Sequence, residues 1–253
     1  MKLSDQFREE LAILKALKGK ERLQHLFQYY KWRILAIFLC LVVLVSSVVN
    51  AVTKKDYVLS GILLNYTAET LEDGLSKLTS DFLSEQAINE KEYTIELITS
   101  LSYLKDNAEF ATDSYMTVEN LTARIAGKLL DFVVCDRNSM ENLAYSEFFV
   151  DLSTVLTKEQ MEAYAPYLLY MDMAFAEKIK EIVESENYDV EIELPDSRKP
   201  ETMEKPIPVF INISGSSYAD AIYPGEKKDI VLAIAANAPH EEMLREFVDF
   251  LMK

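Results

Sequence analysis

The stretch Asp131-Phe-Val-Val-Cys135 says most about the fold of this chain, because it is a short and continuous apolar run. Such a run is typical of a strand buried on both faces of a parallel sheet. A helical pattern leads into it, and a helix directly before a buried strand predicts a β-α-β unit. The apolar residues of that helical pattern are Met116, Leu121, Ile125, Leu129 and Leu130.

Two further strands are predicted upstream of this stretch. Residues 57–64 form an apolar run, and residues 93–101 alternate and are rich in β-branched side chains in their first half. A helix is predicted between them, with Thr67 or Thr70 as its cap. The order strand, helix, strand, helix, strand predicts an α/β domain. The apolar face of the intervening helix contains Leu71, Leu75, Leu78, Phe82 and Leu83.

The downstream half continues the alternation of helices and strands. Residues 139–145 and 158–184 have helical patterns, and residues 188–194 alternate in the way that suits an edge strand or a hairpin. Four prolines within residues 195–208 predict a loop. Two more apolar strands are predicted at residues 209–213 and 229–235, and a last amphipathic helix opens at Pro239.

An apolar run upstream of this domain predicts a transmembrane helix. The run Ile34-Leu-Ala-Ile-Phe-Leu-Cys-Leu-Val-Val-Leu-Val45 has no polar side chain, and the uncharged sequence continues to Val52. Nineteen helical residues span about 28 Å, close to the hydrocarbon thickness of a bilayer. The alternative is a cleaved signal peptide, because Val49-Asn50-Ala51 resembles a cleavage site, although a 33-residue segment before the apolar core argues against it.

The charge distribution predicts which side of the membrane each part occupies. Residues 1–33 carry eight Lys or Arg and four Asp or Glu, a net +4, whereas residues 54–253 carry eighteen and thirty-eight, a net −20. A basic flank favours the cytoplasm, so we expect a single-pass protein of the cell membrane with an extracellular carboxyl-terminal domain. A domain at −20 is repelled by nucleic acid, which excludes nucleic acid as a partner.

The predicted organisation therefore has three parts. Residues 1–33 are a cytoplasmic amphipathic helical segment, residues 34–53 are the transmembrane helix, and residues 54–253 are an acidic extracytoplasmic α/β domain. The first segment contains apolar residues at helical spacing and either docks on a cytoplasmic partner or only sets the orientation of the chain. These apolar residues are Leu3, Phe7, Leu11, Leu14 and Leu17.

The sequence contains no pattern that predicts catalysis. His25 and His240 are too few for a zinc site, and the two cysteines, Cys40 and Cys135, are expected to be free thiols. No nucleotide-binding loop, calcium-binding loop or nucleophile motif is present. We therefore expect no enzymatic activity, no cofactor and no metal.

Two turns are candidates for a ligand site, because ligands of doubly wound sheets lie beyond the carboxyl ends of strands. Arg137 can pair with a carboxylate, and the serine-rich turn after residue 213 can present N–H groups to an anion. The alternative is that both are ordinary turns with capping residues. The candidate residues are Asp136, Arg137, Asn138 and Ser139 in the first turn, and Ser214, Gly215, Ser216, Ser217 and Tyr218 in the second.

Several passages in the domain follow one another as in a known family. Residues 123–136 form a helix that ends near a glycine and enters an Asp-Phe-Val-Val strand, residues 148–164 continue from Phe148-Phe-Val-Asp-Leu, and residues 230–251 combine a late strand with a helix ending Phe247-Val-Asp-Phe-Leu251. In this order they resemble bacterial extracellular solute-binding proteins. The layout also resembles uncharacterised single-pass proteins of Gram-positive anaerobic bacteria.

The resemblance implies a partial periplasmic-binding-protein-like fold in a reduced, membrane-anchored relative. The function expected from it is a membrane-tethered domain that binds a small-molecule, peptide or protein partner. The alternative is a non-catalytic structural or assembly subunit of a membrane complex, without a small-molecule site. Residues 34–52 would contact the lipid bilayer in either case.

Overall fold

The computed structural model describes residues 19, 31–32, 35–47, 54–66, 72–104, 111–185, 193–223 and 229–253. The chain forms two compact units, Met1–Lys54 and Lys55–Lys253. In the first unit residues 35–47 are helical, and their side chains are exposed. Residue 34 and residues 48–52 of the predicted span lie outside the described residues, as do residues 3–17 of the predicted amphipathic helix. Among the described residues, none of the helices combines the length and the apolar composition of a membrane span.

The second unit is built on one mixed sheet, which confirms the predicted α/β class. Within the described residues the sheet has six strands in the order β2-β1-β3-β6-β5-β4. Strands β1, β2 and β3 are mutually parallel, β6 is antiparallel to both β3 and β5, and β4 is antiparallel to β5. The strands are β1 (Asp56–Leu63), β2 (Tyr93–Ile98), β3 (Phe132–Asp136), β4 (Leu168–Asp172), β5 (Pro206–Asn212) and β6 (Ile230–Ile234).

Helices cover both faces of this sheet. The longer ones are α1 (Glu72–Glu85), α2 (Ala111–Ala126), α3 (Arg137–Ala144), α5 (Lys158–Tyr164), α6 (Met173–Glu184) and α8 (Glu241–Leu251). The shorter ones are α4 (Leu152–Val155), α7 (Ala219–Ile222) and the 3-10 turns Ala165–Tyr167 and Pro200–Thr202.

The core has two layers because β3 is buried on both of its faces. Phe132 and Val134 pack with α1, α4, α7 and α8, whereas Val133 and Cys135 pack with α2 and α3. Side chains alternate between the two faces of a strand, so each face of the continuous apolar run meets its own helical layer. The predicted burial of this strand on both faces is confirmed.

The prediction of a single helical pattern over residues 158–184 was wrong. Helix α5 ends at Tyr164, a 3-10 turn containing Pro166 follows, and β4 then separates it from α6. Leucine and methionine favour helices intrinsically, but here Leu168, Leu169 and Met171 are buried in antiparallel pairing with β5. Tertiary pairing therefore overrides the local preference, and Pro166 was the signal that marked the break.

Two smaller differences concern the ends of elements. The helical pattern was predicted to include Leu129 and Leu130, but α2 ends at Ala126, and Lys128 turns the chain with a φ of 54°. Leu129 is consequently exposed, whereas Leu130 is fully buried as the chain enters β3. The strand predicted at residues 188–194 lies mostly outside the described residues, and residues 193–194 are not in regular structure.

Asp131 fixes the amino end of β3 against its neighbours. Its side chain is fully buried and accepts hydrogen bonds from the N–H of Ser60 (2.7 Å) and the N–H of His240 (3.1 Å). The Nδ1 atom of His240 lies 3.0 Å from the same carboxylate. The Asp131 main chain also bonds to Ser60 and to Ala235. One residue therefore joins β1, β3, the end of β6 and the start of α8.

We expect Asp131→Ala to lower the free energy of unfolding by about 2–4 kcal/mol, because the buried N–H of Ser60 and the partly buried N–H of His240 lose their acceptor. Asp131→Asn retains one oxygen and should cost less. His240→Ala should also cost less, because the main-chain N–H at position 240 still bonds to Asp131. Denaturant unfolding of the three purified variants checks this order, and equal losses for Asp131→Ala and His240→Ala would contradict it.

A second constraint lies at Gly61, which pairs with Phe132 in the sheet. A Cβ atom at position 61 would lie 2.2 Å from the Phe132 ring. That ring is held in turn by Phe247, whose centroid is 4.9 Å away, and Phe247 packs edge-on against Phe82 at 5.1 Å. Only a residue without a Cβ fits under this aromatic stack.

We predict that Gly61→Ala lowers the free energy of unfolding by about 1–3 kcal/mol, because the buried aromatic stack must shift. Gly215→Ala is the matched control, since nothing lies within 4 Å of a Cβ at that position. The measurement is denaturant unfolding of both variants beside the wild type. Equal stability of the two variants would show that the core adjusts at no cost.

Candidate functional site

The two predicted turns meet beside the first residues of β6. Strands β3 and β5 point the same way, so their carboxyl ends lie at one end of the sheet. The Arg137 N–H donates to the carbonyl of Asp229 (2.8 Å), and the Ile230 N–H donates to Ser214 Oγ (2.8 Å). The structure thus brings together two turns that were selected separately as candidates because each follows a strand.

The side chains of the two turns nevertheless point into different layers. Ser139 is buried on α3, on the same sheet face as Cys135. Tyr218 stacks on Phe250 of α8 at 4.8 Å, on the opposite face, and donates its hydroxyl to Asp81 of α1 (2.8 Å). Burial and this carboxylate raise the pKa of Tyr218 to about 12.

The remaining predicted residues make local contacts. Ser216 Oγ accepts the N–H of Tyr218 (3.2 Å), and Ser214 N–H donates to Asn212 Oδ1 (2.9 Å). Asn138 and Ser217 are exposed, and the Asn138 carbonyl accepts from the side chain of Asn142 (2.8 Å). These contacts belong to turns and to a helix surface.

Asn65 organises a polar cluster at the carboxyl ends of β1 and β3. Its side-chain nitrogen donates to the carbonyl of Tyr103 (3.1 Å), to Asp136 Oδ2 (3.2 Å) and to Ser139 Oγ (3.2 Å). Its side-chain oxygen accepts the N–H of Tyr103 (2.7 Å). Sequence reasoning missed Asn65, although it follows a strand just as Asp136 does, and its φ of 57° marks a special turn position.

The same cluster sets the charge states of Asp136 and Cys135. Burial alone would raise the pKa of Asp136, but hydrogen bonds from Ser139 and Asn65 outweigh it and lower the pKa below the ordinary value. Asp136 also caps α3 by accepting the Ser139 N–H (3.1 Å). Burial, with the neighbouring Asp136 charge, raises the pKa of the Cys135 thiol well above its ordinary value. Cys135 is therefore a buried, protonated thiol rather than a nucleophile.

Arg137 is surrounded by three carboxylates of the protein itself. Its Nη1 lies 3.0 Å from Glu141 Oε1 and 3.4 Å from Asp196 Oδ1, and its Nε lies 3.3 Å from Asp229 Oδ2. Arg198 pairs with the same Asp229 carboxylate. The guanidinium, only about a fifth exposed, therefore fastens the loop before β5 to α3 and β6.

We predict that Arg137→Ala lowers the free energy of unfolding by about 1–3 kcal/mol, because Glu141 loses its cationic partner and Asp196 and Asp229 each lose one of two. Lys180→Ala is the matched control, since Lys180 pairs with Glu147 on the surface at 3.5 Å and should change stability little. Denaturant unfolding of both variants makes the comparison. A loss for Arg137→Ala no larger than that for Lys180→Ala would contradict a structural role.

A long open groove lies elsewhere, between α1 and β2, with a volume of about 860 Å³. Lys55 and Glu90 stand at one end, beside the start of β2, and Tyr66 also lines it. Hydroxyl side chains such as that of Thr79 and apolar side chains such as that of Leu97 both line the groove. The residues that line it on α1, on β2 and directly after β2 include Leu75, Ser76, Thr79, Thr94, Leu97 and Thr99.

The groove follows an edge of the sheet. Among the described strands β2 pairs only with β1, so its other side faces the groove region. The opposite edge strand, β4, is covered differently, because the Tyr170 N–H donates to the carbonyl of Ser197 in the loop alongside it (2.9 Å). Sequence reasoning missed the groove, which arises from the packing of α1 beside β2 and has no motif of its own.

Two other openings are smaller and have more charged side chains in their lining. They lie around the start of α8, of about 510 and 580 Å³, and both are lined by Arg245 and Glu242. Within the described ranges no three acidic, histidine or cysteine side chains are grouped as metal ligands. Neither a protein-family model, a curated protein nor a solved structure shows significant similarity to this chain.

Proposed function

We propose that this protein is a membrane-tethered extracytoplasmic binding domain, and that the groove between α1 and β2 takes its ligand. The groove carries the proposal. Its volume of about 860 Å³ lies within the usual size of ligand sites, about 300–1,000 Å³. Its wall combines apolar residues with a few hydroxyl groups that can fix the orientation of a ligand, as such sites do.

The tether in this proposal is the apolar segment at residues 34–52. In the sequence only residues 53–55 stand between the predicted span and strand β1, which begins at Asp56. The domain would thus be held at the outer membrane surface, with the basic segment before the span in the cytoplasm.

The proposal keeps the resemblance to a reduced solute-binding protein but moves the ligand site. The α/β sheet agrees with that resemblance at the level of fold class. The turns predicted as the cleft are engaged in internal bonds, with Arg137 held by Glu141, Asp196 and Asp229. We therefore assign these turns to stability and the groove to binding.

One observation favours a second candidate, a non-catalytic structural or assembly subunit of a membrane complex. The polar cluster around Asn65 and Asp136 satisfies itself at the end of the sheet where a ligand of such a fold is expected. We expect such internally bonded polar groups in a domain that no longer binds a ligand but retains the fold.

The experiment is thermal unfolding of the full-length protein in detergent with amino acids, sugars, short peptides and divalent ions. A ligand at a hundredfold excess over its Kd should stabilise the fold by about 2.7 kcal/mol. The shift should vanish in Thr79→Trp, which fills the groove, and persist in Lys77→Trp, an exposed position of α1 outside the groove lining.

Cooperative melting without a shift from any compound would favour the assembly subunit. A shift that persists in Thr79→Trp and is lost in a variant of the predicted turns, such as Ser216→Trp, would return the ligand to those turns.

A further inference from the structure

We propose that the occupant of the groove is an extended peptide segment of a partner protein, which joins the sheet as a strand beside β2. This inference rests on the proposed binding function and names the chemical class of the ligand. It depends on the edge strand, on the shape of the groove and on the charged and uncharged groups that line it.

The edge strand supplies main-chain recognition. Strand β2 extends over six residues, Tyr93–Ile98, or about 20 Å. Among the described strands only β1 pairs with it, so its outer N–H and C=O groups lie on the side away from β1. Such an edge is a template for another extended chain, and groups of this kind give main-chain hydrogen bonds to an added strand.

Helix α1 supplies a second wall, which distinguishes this edge from a bare strand. The groove lining runs on α1 from Leu75 to Leu83, about two turns, and on β2 from Thr94 past Leu97. A groove between an edge strand and a helix accommodates an extended chain along its axis. Side chains on one side of that chain would contact Leu75 and Leu97, while alternate side chains would face solvent.

The charged and uncharged groups that line the groove indicate which side chains the bound peptide should have. The middle of the groove is lined by uncharged groups, including Ser76, Thr79 and Thr94. Lys55 and Glu90 stand at the end beside the start of β2, and Glu90 accepts a hydrogen bond from Ser80 (2.9 Å). We therefore expect a peptide with an uncharged centre of small apolar or hydroxyl side chains. The acidic surroundings, net −20 over residues 54–253, disfavour an acidic peptide.

The opposite edge of the sheet shows what an occupied edge strand looks like in this fold. At β4 a segment of the chain itself supplies the acceptor, through the Ser197 carbonyl bonded to the Tyr170 N–H. The proposal assigns an equivalent role at β2 to a segment from another protein.

The probe is a phage-displayed library of random heptapeptides, selected on the full-length protein in detergent. Peptides that recur are synthesised, and their Kd values are measured by fluorescence anisotropy. We expect binding to weaken by at least about tenfold for Thr79→Trp, a change of about 1.4 kcal/mol, and to stay unchanged for Lys77→Trp. Thr99→Arg blocks the same groove from the residue directly after β2 and replaces Thr79→Trp if that variant does not melt cooperatively.

A chemical control tests strand addition rather than mere occupancy. Each selected peptide is also made with N-methyl groups on alternate peptide bonds, in both registers. One register should lose about tenfold or more in affinity, because methylation removes donors that bond to the edge of β2. The other register should bind much like the parent peptide, since its methylated groups face away from β2.

Several outcomes would overturn the proposal. No peptide enriched on the wild type over Thr79→Trp, or equal tolerance of methylation in both registers, would exclude strand addition. Dimers in analytical ultracentrifugation that Thr79→Trp abolishes would identify a second copy of this chain as the occupant. A small molecule whose thermal shift is lost in Thr79→Trp, with no peptide binding, would overturn this inference and leave the binding function standing.

Discussion

The buried carboxylate of Asp131 is the interaction on which the sheet depends. It lies at the point where β1, β3, the end of β6 and the start of α8 converge, and it bonds to main-chain N–H groups from two of them. A buried carboxyl group is tolerable only where such donors satisfy its oxygens. The pairing of β1 with β3 that begins beside it places Gly61 next to Phe132. Strand β3 then leads to the turn of Arg137 at the other end of the sheet.

The elements predicted correctly are those whose sequence pattern and burial agree. Strand β3 is apolar without interruption because helices cover both of its faces, and α8 is amphipathic because one face packs on the sheet. Strand β4 was missed because its leucines and methionine equally suit a helix, and only pairing with β5 decides between them. The direction of β6 was not predictable either, since an apolar strand carries no mark of its partner's direction.

The candidate site shows the same division between local pattern and packing. The rule about strand ends selected the turns after β3 and β5, and the structure places Arg137 and Ser214 of these turns around the start of β6. This rule did not indicate that Arg137 and Asp136 bond to other side chains of the same chain. Those partners, Asp196, Asp229 and Asn65, are distant in sequence and belong to no motif. The groove was not predicted, for a related reason. Its walls come from a helix and a strand, and the residues of neither element form a pattern that marks a binding site. Strand-end rules locate candidates, whereas packing decides which of them are free to bind.

The contact between Gly61 and the Phe132 ring has a consequence for how this sequence can evolve. The ring occupies the space that a Cβ at position 61 would need, so neither site accepts a larger residue independently. A side chain at position 61 becomes tolerable only when position 132 carries a smaller residue, and a Phe132 replacement without that change leaves a cavity. In diverging homologues the two positions should therefore covary, with glycine at one accompanying an aromatic residue at the other.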